Sequence, residues 1–258
     1  MNSIIDSHIH FDQYEKEEQE QILNGDATVA ALISVSFDLS SCKKNIALSK
    51  QYDKVYCAFG YHPEQKVLSD SGIQELFSWM EDHRTEMTAI GEVGLPYYTR
   101  TGSQEKAAFD QGPYLELLEE FIKKAGGWKK PIVLHAVYDD APAACDLLEK
   151  HSLVRAHFHW FKGDQQTIAR MIANGYFISV TPDVVYEEEI KQLVKTFPLQ
   201  QMMVETDGPW PFEGPFQGKK TTPSMIHTSI KTIAAIKKLP VEEVYKTLYE
   251  NTINFYNL

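Results

Sequence analysis

His8 and His10 stand two residues apart in the stretch Ile4-Ile5-Asp6-Ser7-His8-Ile9-His10. The β-branched Ile4 and Ile5 open a short run that reads as a strand. On a strand, residues two apart share a face, so the two imidazoles project together. A pair of imidazoles at a strand end makes half of a divalent-metal site. Further nitrogen and oxygen donors, Glu92, His135, His159 and Asp207, each end or follow a later apolar run. Four histidines with two carboxylates exceed what one tetrahedral zinc requires. They suit two divalent ions about 3.5–4 Å apart with a carboxylate between them. Such a pair clamps the attacking and leaving oxygens of an in-line displacement and lowers the pKa of a bound water, so the chemistry indicated is metal-assisted hydrolysis. The donor set suits zinc, manganese and, less well, magnesium.

For residues so far apart to meet, the chain must bring eight strand ends to one place. Buried-type runs recur at 4–10, 29–35, 55–60, 88–93, 131–135, 154–159, 175–180 and 201–205. Helical patterns fall between them: Glu15 to Leu23, a helix capped by Ser40 or Ser41 and running toward Tyr52, Ser71 to Arg84, Ala141 to His151, Asp164 to Asn174, and Glu187 to Thr196. Gln104 to Ala125 carries the longest such pattern, which Gly112-Pro113 is expected to break in two. Pro96, Tyr97 and Tyr98 read as a loop, and helices broken by Pro240 fill the end of the chain. This strand–helix alternation predicts an α/β fold, a closed (β/α)₈ TIM barrel of the metal-dependent hydrolase type, with residues 1–258 as a single domain. The absence of a Gly-rich phosphate fingerprint after the first strand weakens the alternative of an open dinucleotide-binding sheet. In such barrels active sites form at the carboxyl ends of the strands, where all the donors fall.

Composition narrows the function further. The 258 residues are 43% hydrophobic, enough for a sizeable core. With 25 Lys and Arg against 36 Asp and Glu, the formal charge is −11, which argues against broad electrostatic binding of duplex nucleic acid or acidic membranes. A nucleic-acid substrate held by a metal remains compatible, because the ion supplies the local positive charge. Cys42, Cys57 and Cys145 are widely spaced and form no Cys-x-x-Cys pair, which fits buried thiols in a reducing compartment. With no leader pattern and no apolar run of about 18 residues, a cytoplasmic protein without membrane spans is expected, with no obligate protein partner evident.

Six motifs together give the sequence a family likeness. They are Asp6-Ser7-His8-Ile9-His10, Gly60-Tyr61-His62-Pro63, Ala89-Ile90-Gly91-Glu92-Val93-Gly94-Leu95, Lys130-Pro131-Ile132-Val133-Leu134-His135, His159-Trp160-Phe161-Lys162-Gly163 and Glu205-Thr206-Asp207-Gly208-Pro209. With them the chain resembles the TatD-type metal-dependent deoxyribonucleases over essentially its whole length. The resemblance implies a TIM barrel of the amidohydrolase type and magnesium- or zinc-type hydrolysis of DNA, often at 3′ ends. It implies Glu92 bridging two metals, with His8, His10 and Asp207 on one side, His135 and His159 on the other, and His62 facing the substrate's phosphate. Asp207 is then the natural group to orient or deprotonate the attacking water. The sequence also departs from the family: Pro96 stands where an aspartate follows Gly-Leu, Val137 where an arginine follows the strand-five histidine, and Lys219-Lys220-Thr221-Thr222-Pro223 where an Arg-Asn pair precedes the last helices. An arginine's bidentate hold on phosphate is something Val137 cannot imitate.

Other residues carry two readings. His157 forms a second His-x-His with His159, and the family register makes it a barrel-interior residue. His83, His151 and His227 read as surface or capping residues. Trp160, Trp210, Phe212, Tyr97 and Tyr98 either stack on bases, at about 1–3 kcal/mol each, or pack the loops onto the barrel. Lys162, Arg100, Lys219 and Lys220 are phosphate-binding candidates or solvated loop charges, with Lys162 and Trp210 the substrate contacts most expected beside His62. Glu187-Glu188-Glu189 reads as a first helical turn, favoured by the dipole. Three functions remain: a two-metal phosphodiesterase; a hydrolase of a small ester, lactone or amide on the same metals; and a binding protein that kept the fold. Relative turnover of a phosphodiester and a carboxylic ester separates the first two, and retention of all six donors disfavours the third.

Overall fold

The computed structural model describes residues 2–102 and 109–258. Eight strands lie parallel and side by side in chain order: β1 (Ile4–Ile9), β2 (Val29–Ser34), β3 (Val55–Phe59), β4 (Ala89–Gly94), β5 (Ile132–His135), β6 (Ala156–Phe158), β7 (Phe177–Val180) and β8 (Met202–Val204). The seam between β8 and β1 is closed just past the strand: Asp207 N–H donates to His8 O at 3.0 Å, and His10 N–H to Gly208 O at 2.8 Å. Thr206 N–H also donates to the Asp6 carboxylate at 3.0 Å. The expected (β/α)₈ barrel is the fold.

The helices are α1 (Lys16–Gly25), α2 (Leu39–Gln51), α3 (Asp70–Asp82), α4 (Tyr97–Gly102), α5 (Gly112–Trp128), α6 (Asp140–Lys150), α7 (Gln165–Ala173), α8 (Glu188–Thr196), α9 (Ile226–Lys237) and α10 (Val241–Tyr256). Two boundaries differ from expectation for local reasons. The cap of α2 is Asp38 rather than Ser40 or Ser41: its carboxylate accepts the Ser41 N–H at 2.8 Å, which satisfies a donor that has no partner within the helix. The stretch after Pro96 is not a loop but the short α4, whose first backbone donors at Tyr98 and Thr99 are taken by the distant Glu64 carboxylate at 2.8 and 2.6 Å. Gly112-Pro113 begins α5, since proline fits a first turn, where its missing N–H costs nothing. The preceding part of that pattern, 104–108, lies outside the described residues.

Strand alternation decides which side chains fill the barrel. Ile33, Val35, Ala58, Ala89, Val133 and Met203 form an apolar layer of their own with Phe255 and Tyr256 from the end of α10. Leu32, Ile90, Ile132, Leu134 and Phe158 belong to the larger core between strands and helices. Two residues beyond Val133 comes His135, and two beyond Met203 comes Glu205, so the inward face turns from apolar to polar toward the strand ends. Glu92 reaches the centre at an irregularity: the β4–β5 register shifts between Ile90 and Val93, and such bulges re-aim side chains. Gly94, at φ +155°, is required by close approach, because a Cβ there would lie 1.9 Å from His135 O.

Candidate metal centre

Glu92 sits fully buried at the middle of the cluster, and its two oxygens serve two groups of side chains. Glu92 Oε2 faces His8 Nε2 at 3.2 Å and His10 Nε2 at 3.3 Å. Asp207 Oδ1 completes that group, 3.3 and 3.5 Å from the same two nitrogens. Glu92 Oε1 faces His159 Nε2 at 2.7 Å, His135 Nδ1 at 3.0 Å and His62 Nε2 at 3.2 Å. Every one of these side chains comes from a strand end or the turn after it, which is why a chain separation of some 200 residues closes to hydrogen-bond distance.

The donors fit a divalent cation. Ligand atoms around an ion at the usual 2.0–2.1 Å stand about 3.3 Å apart in a tetrahedron, close to the separations seen here. His8 Nε2, Glu92 Oε2 and Asp207 Oδ1 are buried without a hydrogen-bond partner, a costly state for polar atoms unless something else binds them. The electrostatics agree. Burial works to raise the Glu92 carboxyl, but His159, His62 and His8 hold it well below the usual range. Asp207 is likewise lowered against burial by the His10 and His8 rings beside it. Burial opposes charge on His10 and His135 too, yet their carboxylate neighbours lift both to about 9. Burial pushes His159 down to about 4 and lowers His62. The centre thus draws positive charge to itself while keeping some imidazoles neutral, the form that ligates.

Above the cluster opens a cavity of about 420 Å³ whose walls include Phe37, Glu64, Tyr98, Val137, Trp160 and Trp210. Among the expected substrate contacts, His62 and Trp210 line it, the latter 45% exposed with its ring 6.1 Å from His10. Tyr98 also presents an open ring, 53% exposed. Trp160 is pinned, its backbone N–H on Glu205 Oε1 at 2.7 Å and its indole N–H on Asp183 at 2.6 Å, while Phe212 packs beneath it. Lys162 is not among the residues that line the cavity; it lies over the ring of the wall residue Trp160, 5.9 Å from its centroid. Arg100 is paired with Asp140 at 2.7 Å, Lys219 donates to Pro215 O at 2.8 Å, and Lys220 is paired with Glu18. Trp160 and Asp207 both hold positive φ, at 38° and 49°, a cost of about 1–3 kcal/mol each that tends to gather at functional sites.

The remaining histidines lie elsewhere. His157 is in the barrel interior, bonded to Ser179 at 2.6 Å and Tyr256 at 2.7 Å. His83 and His151 cap the ends of α3 and α6, and His227 on α9 bonds Thr28 and Tyr245. Two wall residues were not singled out from the sequence. Phe37 stacks on His62 with centroids 4.4 Å apart. Glu64 bonds His135 Nε2 at 3.2 Å, and its place two residues after His62 was the one available signal.

The model of the family described as TatD related DNase matches residues 5–257. An uncharacterized metal-dependent hydrolase of Haemophilus influenzae is 38% identical over 99% of this chain and 100% of its own. The human deoxyribonuclease TATDN3 is 27% identical over 89% of this chain and 85% of its own. The crystal structure of YJJV, a TatD homologue from Escherichia coli, superposes with a TM-score of 0.85 at 26% identity, covering 100% of both chains. On its sequence, its barrel and its ring of buried donors, this chain belongs to the TatD-related DNase family of metal-dependent hydrolases.

Proposed function

We propose that the protein, acting as one unit over residues 1–258, cleaves phosphodiester bonds at the end of single-stranded DNA, in the manner of a 3′–5′ exonuclease. The observation that carries this reading is the division of donors about the two oxygens of Glu92 at the floor of an aromatic cavity. Two divalent ions (zinc, manganese or magnesium) would share Glu92, with His8, His10 and Asp207 as the residues that would hold one and His135 and His159 those that would hold the other. Bound there, the ions supply Lewis acidity to a water and to the scissile phosphate. The chain's own groups do the rest. Asp207, kept ionised, accepts the proton of the attacking water. His62 Nδ1 accepts the Glu64 N–H at 3.2 Å, so Nε2 bears the proton and donates to a phosphate oxygen. The Phe37 ring holds that imidazole in plane. Trp210 and Tyr98 offer faces to a base. The cavity volume is at the low end for small-ligand sites, which suits a strand end rather than a duplex, as does the net charge of −11. The deoxyribonuclease name of the human relative supports the same substrate. Three free, buried cysteines support a reducing cytoplasmic setting. Among the described residues no helix is long and apolar enough to cross a membrane.

The decisive experiment reloads metal-stripped protein with magnesium, manganese or zinc and follows single-stranded DNA, with His159→Ala as the control for a contaminating nuclease. Metal-dependent cleavage that the substitution abolishes is expected. Tight binding of ions without cleavage would overturn the substrate. It would favour the second reading, a small ester, lactone or amide, which the wall itself supports: Val137 and Glu64 stand there, and no Lys or Arg is among the described lining residues.

A further inference from the structure

Behind the two groups of donors the protein is not symmetrical. His8 Nδ1 and His10 Nδ1, the nitrogens turned away from the cluster, have no hydrogen-bond partner. His135 is different. Its Nδ1 faces Glu92 and His159, at 3.0 and 3.2 Å, while its Nε2 meets Glu64 Oε1 at 3.2 Å. Glu64 is itself fixed from outside the cluster. Oε1 accepts the Tyr98 N–H at 2.8 Å and Oε2 the Thr99 N–H at 2.6 Å. Its own backbone N–H goes to His62 Nδ1. Glu64 therefore touches the second group of donors at His135, the phosphate-facing His62, and the segment that carries Tyr98 over the cavity.

We propose that Glu64 is a positioning residue: its carboxylate takes the Nε2 proton of His135 in a hydrogen bond, leaves the Nδ1 lone pair aimed at the Glu92 Oε1 side, and so sets cation affinity on that side alone. This rests on the reading of His135 as a ligand. A ligating imidazole is oriented and made more basic by a carboxylate on its other nitrogen, and loss of that partner typically costs 10–100-fold in affinity. A charged acceptor makes the stronger bond, and the Tyr98 and Thr99 N–H groups hold the Glu64 carboxylate in place to make it. Among the described residues no hydrogen-bonding group backs His8 Nδ1 or His10 Nδ1, so the two sides of the cluster should respond differently to the same substitution.

The test titrates manganese into metal-stripped full-length protein by calorimetry, comparing wild type, Glu64→Gln, His135→Ala and the double variant. Wild type should show two classes of site, and His135→Ala should cripple one. Glu64→Gln should weaken that same class by about 10–100-fold, leave the other unchanged, and add nothing in the His135→Ala background. Glu64→Asp, which keeps the charge and withdraws it by one methylene, should fall between, and it serves if the glutamine variant does not fold. Equal weakening of both classes, no weakening in either Glu64 variant, or a full effect persisting without His135 would overturn the proposal. If His135→Ala leaves manganese binding intact, the ligand assignment fails first and carries the proposal down with it. DNA cleavage is not the readout, so an error in the substrate cannot imitate either result.

Discussion

His8 and His10 stand two residues apart at the end of β1, and His157 and His159 stand two apart on β6 and just beyond it. Within each pair both rings point into the barrel, and all four are buried. Yet three of the four rings join the cluster around Glu92, and His157 does not. The difference lies in what is already bonded to each ring. Both nitrogens of His157 are taken, by Ser179 and Tyr256, and burial keeps the ring neutral, with its pKa well below the ordinary value. Neither nitrogen of His8 has a hydrogen-bond partner, and its neighbours are carboxylates. Inside a barrel, a histidine whose hydrogen bonds are complete is structure, and one whose bonds are incomplete, facing anions, is free to ligate.

The comparison breaks most visibly by removing one ring from each pair. His8→Ala should lower metal-dependent hydrolysis by about a thousandfold or more, because losing the hold on an ion forfeits several kcal/mol of transition-state stabilisation, at about 1.4 kcal/mol per tenfold. Single-turnover rates at saturating metal and substrate check this. His157→Ala should instead appear as instability of about 3 kcal/mol in urea unfolding, since it leaves a cavity in the barrel interior and takes one hydrogen bond from each of two buried hydroxyls. It should leave the number of bound ions unchanged. A His157→Ala protein that folds normally but binds fewer ions would contradict the distinction.

Metal linkage sharpens the contrast. A ligand that binds only the native state adds about 2.7 kcal/mol at a hundred times its dissociation constant. Wild type and His157→Ala should each gain roughly that much in the unfolding transition when manganese is added, and His8→Ala should lose most of the increment. If all three gain equally, the ion that stabilises the fold is not held by His8.

The sequence made one half of this picture readable and hid the other. Alternation on the strands and the end-of-strand rule placed all six donors, because both depend on local spacing and on a fold that repeats. His157 was assigned to the interior by family register, since spacing alone treats it like His10. The satisfying partners, Ser179 on β7 and Tyr256 near the chain end, are 22 and 99 residues away. Glu64 is hard to read for the same reason: beyond its place two residues after His62, its significance rests on a contact with His135, 71 residues distant. The position of Lys162 just after β6 likewise says nothing of the Trp160 ring it lies against. Pro96 and Tyr97 suggested a loop because α4 is too short to carry a periodic pattern.

The smallest effect is the most searching. Tyr256 OH bonds His157 Nδ1 at 2.7 Å and donates to Ser7 O at 3.2 Å. Tyr256→Phe keeps the ring packed against Phe255, whose centroid is 4.9 Å away, and deletes only the hydroxyl. A neutral buried bond of this kind contributes about 1 kcal/mol, so the urea midpoint should fall with an unchanged slope and manganese affinity should stay as in wild type. The second half of that expectation can fail in an informative way. His157 Nε2 bonds Ser179, Ser179 bonds Glu205, and Glu205 Oε1 lies 3.8 Å from His159 Nδ1. A run of buried hydrogen bonds therefore leads from Tyr256 to Glu205, whose other oxygen stands beside His159 in the cluster. If removing one hydroxyl at its far end weakens an ion, the interior histidine is part of the support of the metal centre, and the line drawn between the two pairs lies one residue too high in the barrel.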